Sequence, residues 1–168
     1  MDTYSTSTIQ LFALLALFSI LIIYKIQQFF QSFKKRSLLK CNKTLKKLKS
    51  LSWDDFELLC MELFAKIGWR VRGNEKKGAD GGVDIWMQKK SWKKKNISAI
   101  VQCKRYDDAL VTIKVIREMY GLMHEYGVDE VYVVTTNCFT KECHSFVKDK
   151  KMTLIAGEDL VKLIDKYA

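Results

Sequence analysis

Asp84 and the triplet Gln102-Cys103-Lys104, eighteen residues on, combine side-chain types that suit hydrolysis of a phosphate ester at a divalent cation. A hard cation such as Mg2+ takes oxygen ligands and keeps several of its waters, so one or two carboxylates plus an amide oxygen are enough protein to hold it. Asp84 offers the carboxylate and Gln102 the amide. An ammonium beside them orients or deprotonates the attacking water and stabilises charge that builds on the phosphoryl oxygens, and Lys104 is of that type.

Side chains alternate along a strand, and this decides which of these groups can meet. In Gly82-Val83-Asp84-Ile85-Trp86-Met87-Gln88, the alternation puts Val83, Ile85 and Met87 on one face and Asp84 on the other. In Ala99-Ile100-Val101-Gln102-Cys103-Lys104, Ala99, Val101 and Cys103 share a face, and Gln102 and Lys104 point the opposite way. Pairing the runs as a hairpin over one core brings Asp84, Gln102 and Lys104 together. A helix precedes them over 53–67, with Phe56, Leu59, Cys60, Leu63, Phe64 and Ile67 at 3-4 spacing, Ser52 as N-cap, and Asp54 and Asp55 in the first turn. Glu57 borders that stripe and can look into the sheet edge as a third oxygen ligand, although a first-turn glutamate also serves the helix dipole. Asp80-Gly81 suits a tight turn better than a ligand.

Downstream, the periodicity predicts a helix over about 112–126, a buried strand at 131–136, a helix near 140–150, a short strand at 152–156 and a closing helix from Gly157. The resulting order α-β-β-β-α-β-α-β-α predicts an α/β three-layer domain, a mixed central sheet flanked by helices on both faces. His124 and His144 have no Ser or Cys partner pattern, so a hydrolase triad has no support.

The motifs Leu51-Ser52-Trp53-Asp54-Asp55-Phe56-Glu57, Gly68-Trp69-Arg70-Val71, Asp80-Gly81-Gly82-Val83-Asp84-Ile85, Val101-Gln102-Cys103-Lys104-Arg105, Ile116-Arg117-Glu118 with Gly121, Val134-Thr135-Thr136 with Phe139-Thr140, and Leu154-Ile155 with Gly157 resemble the Mrr-type restriction endonuclease family over roughly residues 51–166. That family lies in the PD-(D/E)xK nuclease superfamily, in the branch whose motif reads D, then QxK. The resemblance implies a restriction-endonuclease-like fold, a Mg2+ cofactor for which Mn2+ can substitute, and DNA as substrate. It implies Asp84, Glu57 and Gln102 at the metal, with Gln102 in the position usually acidic, and Lys104 as the catalytic lysine. The Lys-rich connection at 89–96 departs from many relatives. No separate DNA-recognition domain is expected within these residues, so the resemblance speaks to the chemistry and not to a recognised DNA sequence.

Length and charge bound the rest. The 168 residues hold one domain of ordinary size, expected at 51–168, plus an N-terminal appendage. From Thr8 to Tyr24 the only strongly polar side chain is Gln10, and with its flanks the run reaches the roughly 20 residues that cross about 30 Å of hydrocarbon. A secretory signal fits poorly, because residues 1–8 lack a basic region and the run ends in Tyr24-Lys25-Ile26-Gln27. Residues 1–30 are therefore expected to form a single-pass anchor.

The net charge of +10 divides into −1 over 1–24, +9 over 25–49 and +2 over 50–168, so the basicity is poor evidence for DNA binding. The positive-inside rule instead predicts a cytoplasmic C-terminal domain on a bacterial-type inner membrane. Within the basic segment 31–50, residues 34–49 also read as an amphipathic helix, with Leu38, Cys41, Leu45 and Leu48 at 3-4 spacing, able to lie on anionic lipids. Topology is the simpler reading of that segment, and phosphate contact the third.

Five cysteines without CxxC spacing read as buried thiols of a reducing compartment, not as a zinc site or disulfide framework. The hairpin connection Lys89-Lys90-Ser91-Trp92-Lys93-Lys94-Lys95 either contacts DNA phosphates, with Trp92 stacking on an unpaired base, or is a solvated tip. Arg105 and Arg117 are further candidates for DNA contact. No small-molecule cofactor is expected, and double-strand cleavage would call for two sites, hence a homodimer. The alternative reading is a membrane-tethered nucleic-acid-binding module with weak or lost cleavage. A third reading is a structural protein of the membrane surface whose basic helix is the functional part.

Overall fold

The first helix, α1 (Thr6–Cys41), is apolar along most of its length and contains no acid. The computed structural model describes residues 6–74, 82–90 and 96–168, and the chain divides into two compact units, residues 1–37 and 38–168. In the first unit the apolar side chains from Ile9 to Phe33 are exposed. Within the helix from Ile9 to Cys41 the most apolar 18-residue stretch has a mean hydropathy of 2.3 and is wholly unburied, so the helix is long and apolar enough to cross a membrane. Ser19 and Ser32 donate their hydroxyls to the helix's own Ala16 and Phe29 carbonyls, at 2.7 and 2.8 Å, which satisfies both donors without water.

The second unit begins before the predicted domain does. The helix breaks at Asn42, whose side-chain amide donates to Leu38 O at 2.8 Å, and resumes after the Thr44 N-cap as α2 (Leu45–Lys49). The expected continuous amphipathic helix over 34–49 is thus two helices. Leu39 and Leu48, 1% and 0% exposed, enter the domain core, whereas Cys41 is exposed. Leu39 and Leu48 are removed from water against the domain, each gaining on the order of 2 kcal/mol relative to exposure, and so are not available to face lipid.

The remaining elements follow the predicted order: α3 (Trp53–Lys66), β1 (Arg70–Gly73), β2 (Ile85–Lys89), β3 (Ile97–Lys104), α4 (Ile113–Glu125), β4 (Glu130–Thr135), α5 (Lys141–Val147), β5 (Met152–Ile155) and α6 (Gly157–Tyr167). Ser52 caps α3 as expected, its hydroxyl accepting Asp55 N–H at 3.1 Å. The five strands lie in the order β1-β2-β3-β4-β5, antiparallel from β1 to β3 and parallel from β3 to β5.

Each face of this mixed sheet has its own core. On one, Ile85, Met87, Ala99, Val101 and Cys103 pack with Phe56, Leu59, Cys60 and Leu63 of α3, Leu160 and Ile164 of α6, and Leu39 and Leu48. On the other, Ile100, Val131 and Val133 meet Ile116, Met119 and Leu122 of α4 and Cys143 of α5. Val83 corrects the alternation argument, since it packs with Ile100 and not with Ile85 and Met87. The physical reason is that β2 starts only at Ile85, after Gly82 with φ of 99°, so strand geometry does not extend back to residue 83.

Candidate active site

Asp84 stands at the entry to β2, and hydrogen bonds from both neighbouring strands fix it. Its N–H donates to Val101 O at 3.0 Å, and its carbonyl accepts Asn74 N–H at 2.9 Å. The Asn74 side-chain amide donates to the adjoining Val83 carbonyl at 2.9 Å, so a single residue after β1 holds two consecutive peptide units. The Asp84 carboxylate then accepts the Cys103 N–H at 2.6 Å, which points it at the middle of the Gln102-Cys103-Lys104 triplet.

Burial pushes the Asp84 carboxyl up from its ordinary value, against the opposing pull of the Cys103 N–H and the positive charge of Lys104. A half-buried carboxylate that resists ionisation beside a lysine is poised for a cation. Gln102 is 3% exposed, and its Oε1 is buried with no hydrogen-bond partner among the described residues. A buried amide oxygen left unpaired costs about 1–3 kcal/mol, so it marks a place where another partner belongs. Gly82 lies against the same amide: a Cβ added there would sit 2.5 Å from Gln102 Nε2.

Glu57 is half-buried on the first turns of α3, and its charge and that of Asp84 both act on the Cys103 thiol. That thiol is held far above its usual value, first by a hydrogen bond with Cys60, then by burial and by the two carboxylates. Cys103 is therefore a neutral structural group and no nucleophile. Cys60 and Cys143 are also free and buried, as expected, whereas Cys41 and Cys138 are free but exposed, against the expectation of buried thiols, because Cys41 ends α1 on its solvent side and Cys138 lies in the loop after β4.

No group of three His, Cys, Asp or Glu suited to a metal is found among the described residues. The candidate oxygen donors are the Asp84 and Glu57 carboxylates and the Gln102 amide, and oxygen donors of these types suit a hard cation that retains waters. The residues fit Mg2+ or Mn2+ better than zinc, which favours nitrogen and sulfur.

The expected DNA contacts separate. Lys89 holds its ammonium 5.7 Å from the centre of the Trp69 ring, and Lys90 is exposed. Trp92, Lys93, Lys94 and Lys95 lie outside the described residues, as does the Asp80 turn. Arg105 turns inward: its Nη1 donates to Lys49 O at 2.7 Å and to Asp107 Oδ1 at 3.0 Å, binding α2 to the loop after β3. Lys49 answers by donating to the Asp107 carbonyl. Arg117 is exposed on α4.

Asn74 and the contact between Gly82 and Gln102 escape sequence reasoning. Their partners are 9 to 20 residues away, and no local period links them.

An antiparallel hairpin continued by parallel strands, with helices on both faces and an Asp, Gln, Lys set at the β2–β3 junction, defines a nuclease domain of the restriction-endonuclease-like class. The family model of the Mrr catalytic domain, described as a restriction endonuclease, matches residues 48–164, and the chain belongs to that family. Among solved structures it is similar to the DNA modification-dependent restriction endonuclease AspBHI, with a TM-score of 0.58 and 16% identity over 79% of this chain and 35% of that one. It is also similar to the MspJI restriction endonuclease in complex with a 27-mer oligonucleotide, with a TM-score of 0.51 and 21% identity over 79% of this chain and 30% of that one. The chain thus spans about a third of the length of these enzymes. No curated protein matches it in sequence.

Proposed function

We propose that this protein is a membrane-anchored, metal-dependent DNA endonuclease that hydrolyses phosphodiester bonds. The observation that carries the metal site is the buried Gln102 Oε1, without a hydrogen-bond partner among the described residues, next to the half-buried Asp84 whose carboxyl is held up by desolvation. Asp84, Gln102 and Glu57 would hold Mg2+, with Mn2+ as a substitute. Such an ion, when bound, polarises a phosphoryl oxygen and lowers the pKa of a coordinated water.

Lys104 carries the rest of the chemistry. Its charge is close enough to lower the proton affinity of Asp84, and it orients the attacking water and offsets negative charge on the phosphoryl oxygens. The Cys103 N–H keeps the Asp84 carboxylate from rotating away, and Asn74 keeps its backbone in place. Cys103 is wholly buried with its side chain in the core on the α3 side of the sheet, so water is the nucleophile. DNA as substrate is supported by family membership and by the oligonucleotide bound to the MspJI neighbour. Cleavage of both strands uses two such sites, in a homodimer.

The apolar length of α1 supports a single-pass anchor, and the nine cations of residues 25–49 support a cytoplasmic domain on a bacterial-type inner membrane. With Leu39 and Leu48 in the domain core, attraction to anionic lipids falls to the lysines of that segment.

The test is plasmid cleavage by the full-length chain in detergent with Mg2+, Mn2+ or chelator. The expected result is metal-dependent cutting that Asp84→Ala and Lys104→Ala abolish while circular dichroism stays native. Native-like cleavage by either variant refutes the mechanism.

A further inference from the structure

A cavity of about 480 Å3 opens on the sheet between Arg70, Arg72, Trp86, Gln88, Ser98 and Tyr126. The register places Arg72 opposite Trp86 and Trp86 opposite Ile100, and Arg70 opposite Gln88 and Gln88 opposite Ser98. Paired residues project to the same side, so this row shares a face with Ile100 and, by alternation along β3, with Gln102 and Lys104. The Arg72–Trp86–Ile100 row is only two residues, about 7 Å, from Asp84 and Gln102.

The chemistry of this groove is unlike a core edge. Arg70 and Arg72 are exposed, and neither guanidinium has an ion pair or side-chain hydrogen bond among the described residues. Two residues apart on one strand face, they sit about 7 Å from each other, comparable with the step between consecutive phosphates of an extended strand. Behind them Trp86 meets Tyr126 edge to face, with ring centres 5.0 Å apart, and Tyr126 remains 37% exposed. Gln88 and Ser98 add groups that both donate and accept. Exposed charge on an edge strand such as β1 also discourages pairing with other sheets, but that role needs neither an aromatic wall nor a cavity.

We propose that this groove binds an unpaired stretch of the DNA strand, with a base against Trp86 and Tyr126 and flanking phosphates on Arg70 and Arg72. The cavity has room for about one nucleotide and not for a duplex, and stacking on an aromatic ring requires a base already out of its helix. The groove rests on the nuclease reading of the neighbouring site, because its continuation along the same sheet face leads the bound strand toward Gln102 and Lys104.

The test measures binding of a fluorescein-labelled oligothymidylate, and of a duplex of equal length, to the full-length chain in detergent micelles with chelator. Arg70→Gln with Arg72→Gln is expected to weaken oligothymidylate binding tenfold or more, and to flatten log affinity against log salt by about 0.7 for each phosphate that the arginines no longer neutralise. Tyr126→Ala is expected to weaken it about tenfold with the salt slope unchanged, since stacking carries no counterion release. Unchanged affinity and slope in the arginine variant overturn the proposal. So does an equal arginine effect on the duplex with no effect of Tyr126→Ala, which would make the face a duplex backbone patch.

Failure of the nuclease reading is distinguishable. If the wild-type chain cuts no plasmid but oligothymidylate binding still depends on both arginines, the cleavage reading alone falls. If it cuts plasmid and the arginine variant binds oligothymidylate like wild type, this proposal alone falls.

Discussion

Replacing Gly82 by alanine tests whether the Gln102 amide belongs to the catalytic arrangement or only fills space. Two costs follow from the structure. The first is backbone strain: φ at Gly82 is 99°, a region that L side chains rarely adopt, and holding a non-glycine residue there costs about 1–3 kcal/mol. At about 4 °C per kcal/mol for a domain of this size, the melting temperature should fall by about 4–12 °C. The second is displacement. A new Cβ would lie 2.5 Å from Gln102 Nε2 and 3.3 Å from its Cδ, and ordinary contact begins near 3.5 Å. The amide must therefore retreat by about 1 Å, and at 3% exposure Gln102 has no solvent to move into. Misplacement of a site group by about 1 Å can lower rate by about 100-fold. The assay is plasmid cleavage with Mg2+ at a temperature well below the variant's melting point, so that the fall in rate reports geometry and not unfolding. Gly121→Ala is the control: it lies in α4 with open space where a Cβ would go, and should raise stability by about 0.5–1 kcal/mol without changing the rate. A folded Gly82→Ala protein that cuts within twofold of wild type refutes the role given to Gln102.

Three further outcomes follow from particular residues. Asp84→Asn should raise the melting temperature of the chelator-treated protein at pH 7 and remove any stabilisation by Mg2+. A carboxyl with a raised folded-state pKa stabilises fully only below its ordinary value near 4, and loses that contribution as pH rises through the raised value. The Asn variant's advantage in differential scanning fluorimetry should therefore shrink toward pH 4, and an advantage that grows on acidification would contradict the burial argument. Leu48→Ala should destabilise the domain by about 2–5 kcal/mol in urea titration, because Leu48 is wholly buried in the core shared by α3 and α6; a cost under about 0.5 kcal/mol would mean that residues 38–49 are not part of that core. Deleting residues 1–33, which stops short of the second compact unit, should move the protein from the membrane pellet to the high-salt supernatant, and full-length protein soluble at low salt would refute the anchor.

What the sequence by itself determined is what local period can express. The 3-4 spacing of Phe56, Leu59, Cys60 and Leu63 specifies α3 and its buried face, and Ser52 specifies its start. Alternation through Ile85–Lys89 and Ile97–Lys104 specifies the hairpin, the burial of Ala99, Val101 and Cys103, and hence the side on which Gln102 and Lys104 fall. These signals are legible because a strand or helix imposes its repeat on every residue it contains.

Tertiary structure alone decided the rest. Of the stripe Leu38, Cys41, Leu45 and Leu48 only Leu48 is wholly buried, and Leu39, which lies off that stripe, joins it in the core beside α6 and the sheet, a placement that the period of the sequence does not contain. Arg105 looks like a free cation until the Lys49 carbonyl, 56 residues earlier, arrives beside it. Asn74 becomes the clamp of Asp84, and Arg70 and Arg72 acquire an aromatic wall, only when β1 pairs with β2. In each case a side chain's role is set by which partner buries or satisfies it, and that partner is brought close by chain folding across sequence distances over which no residue pattern is repeated.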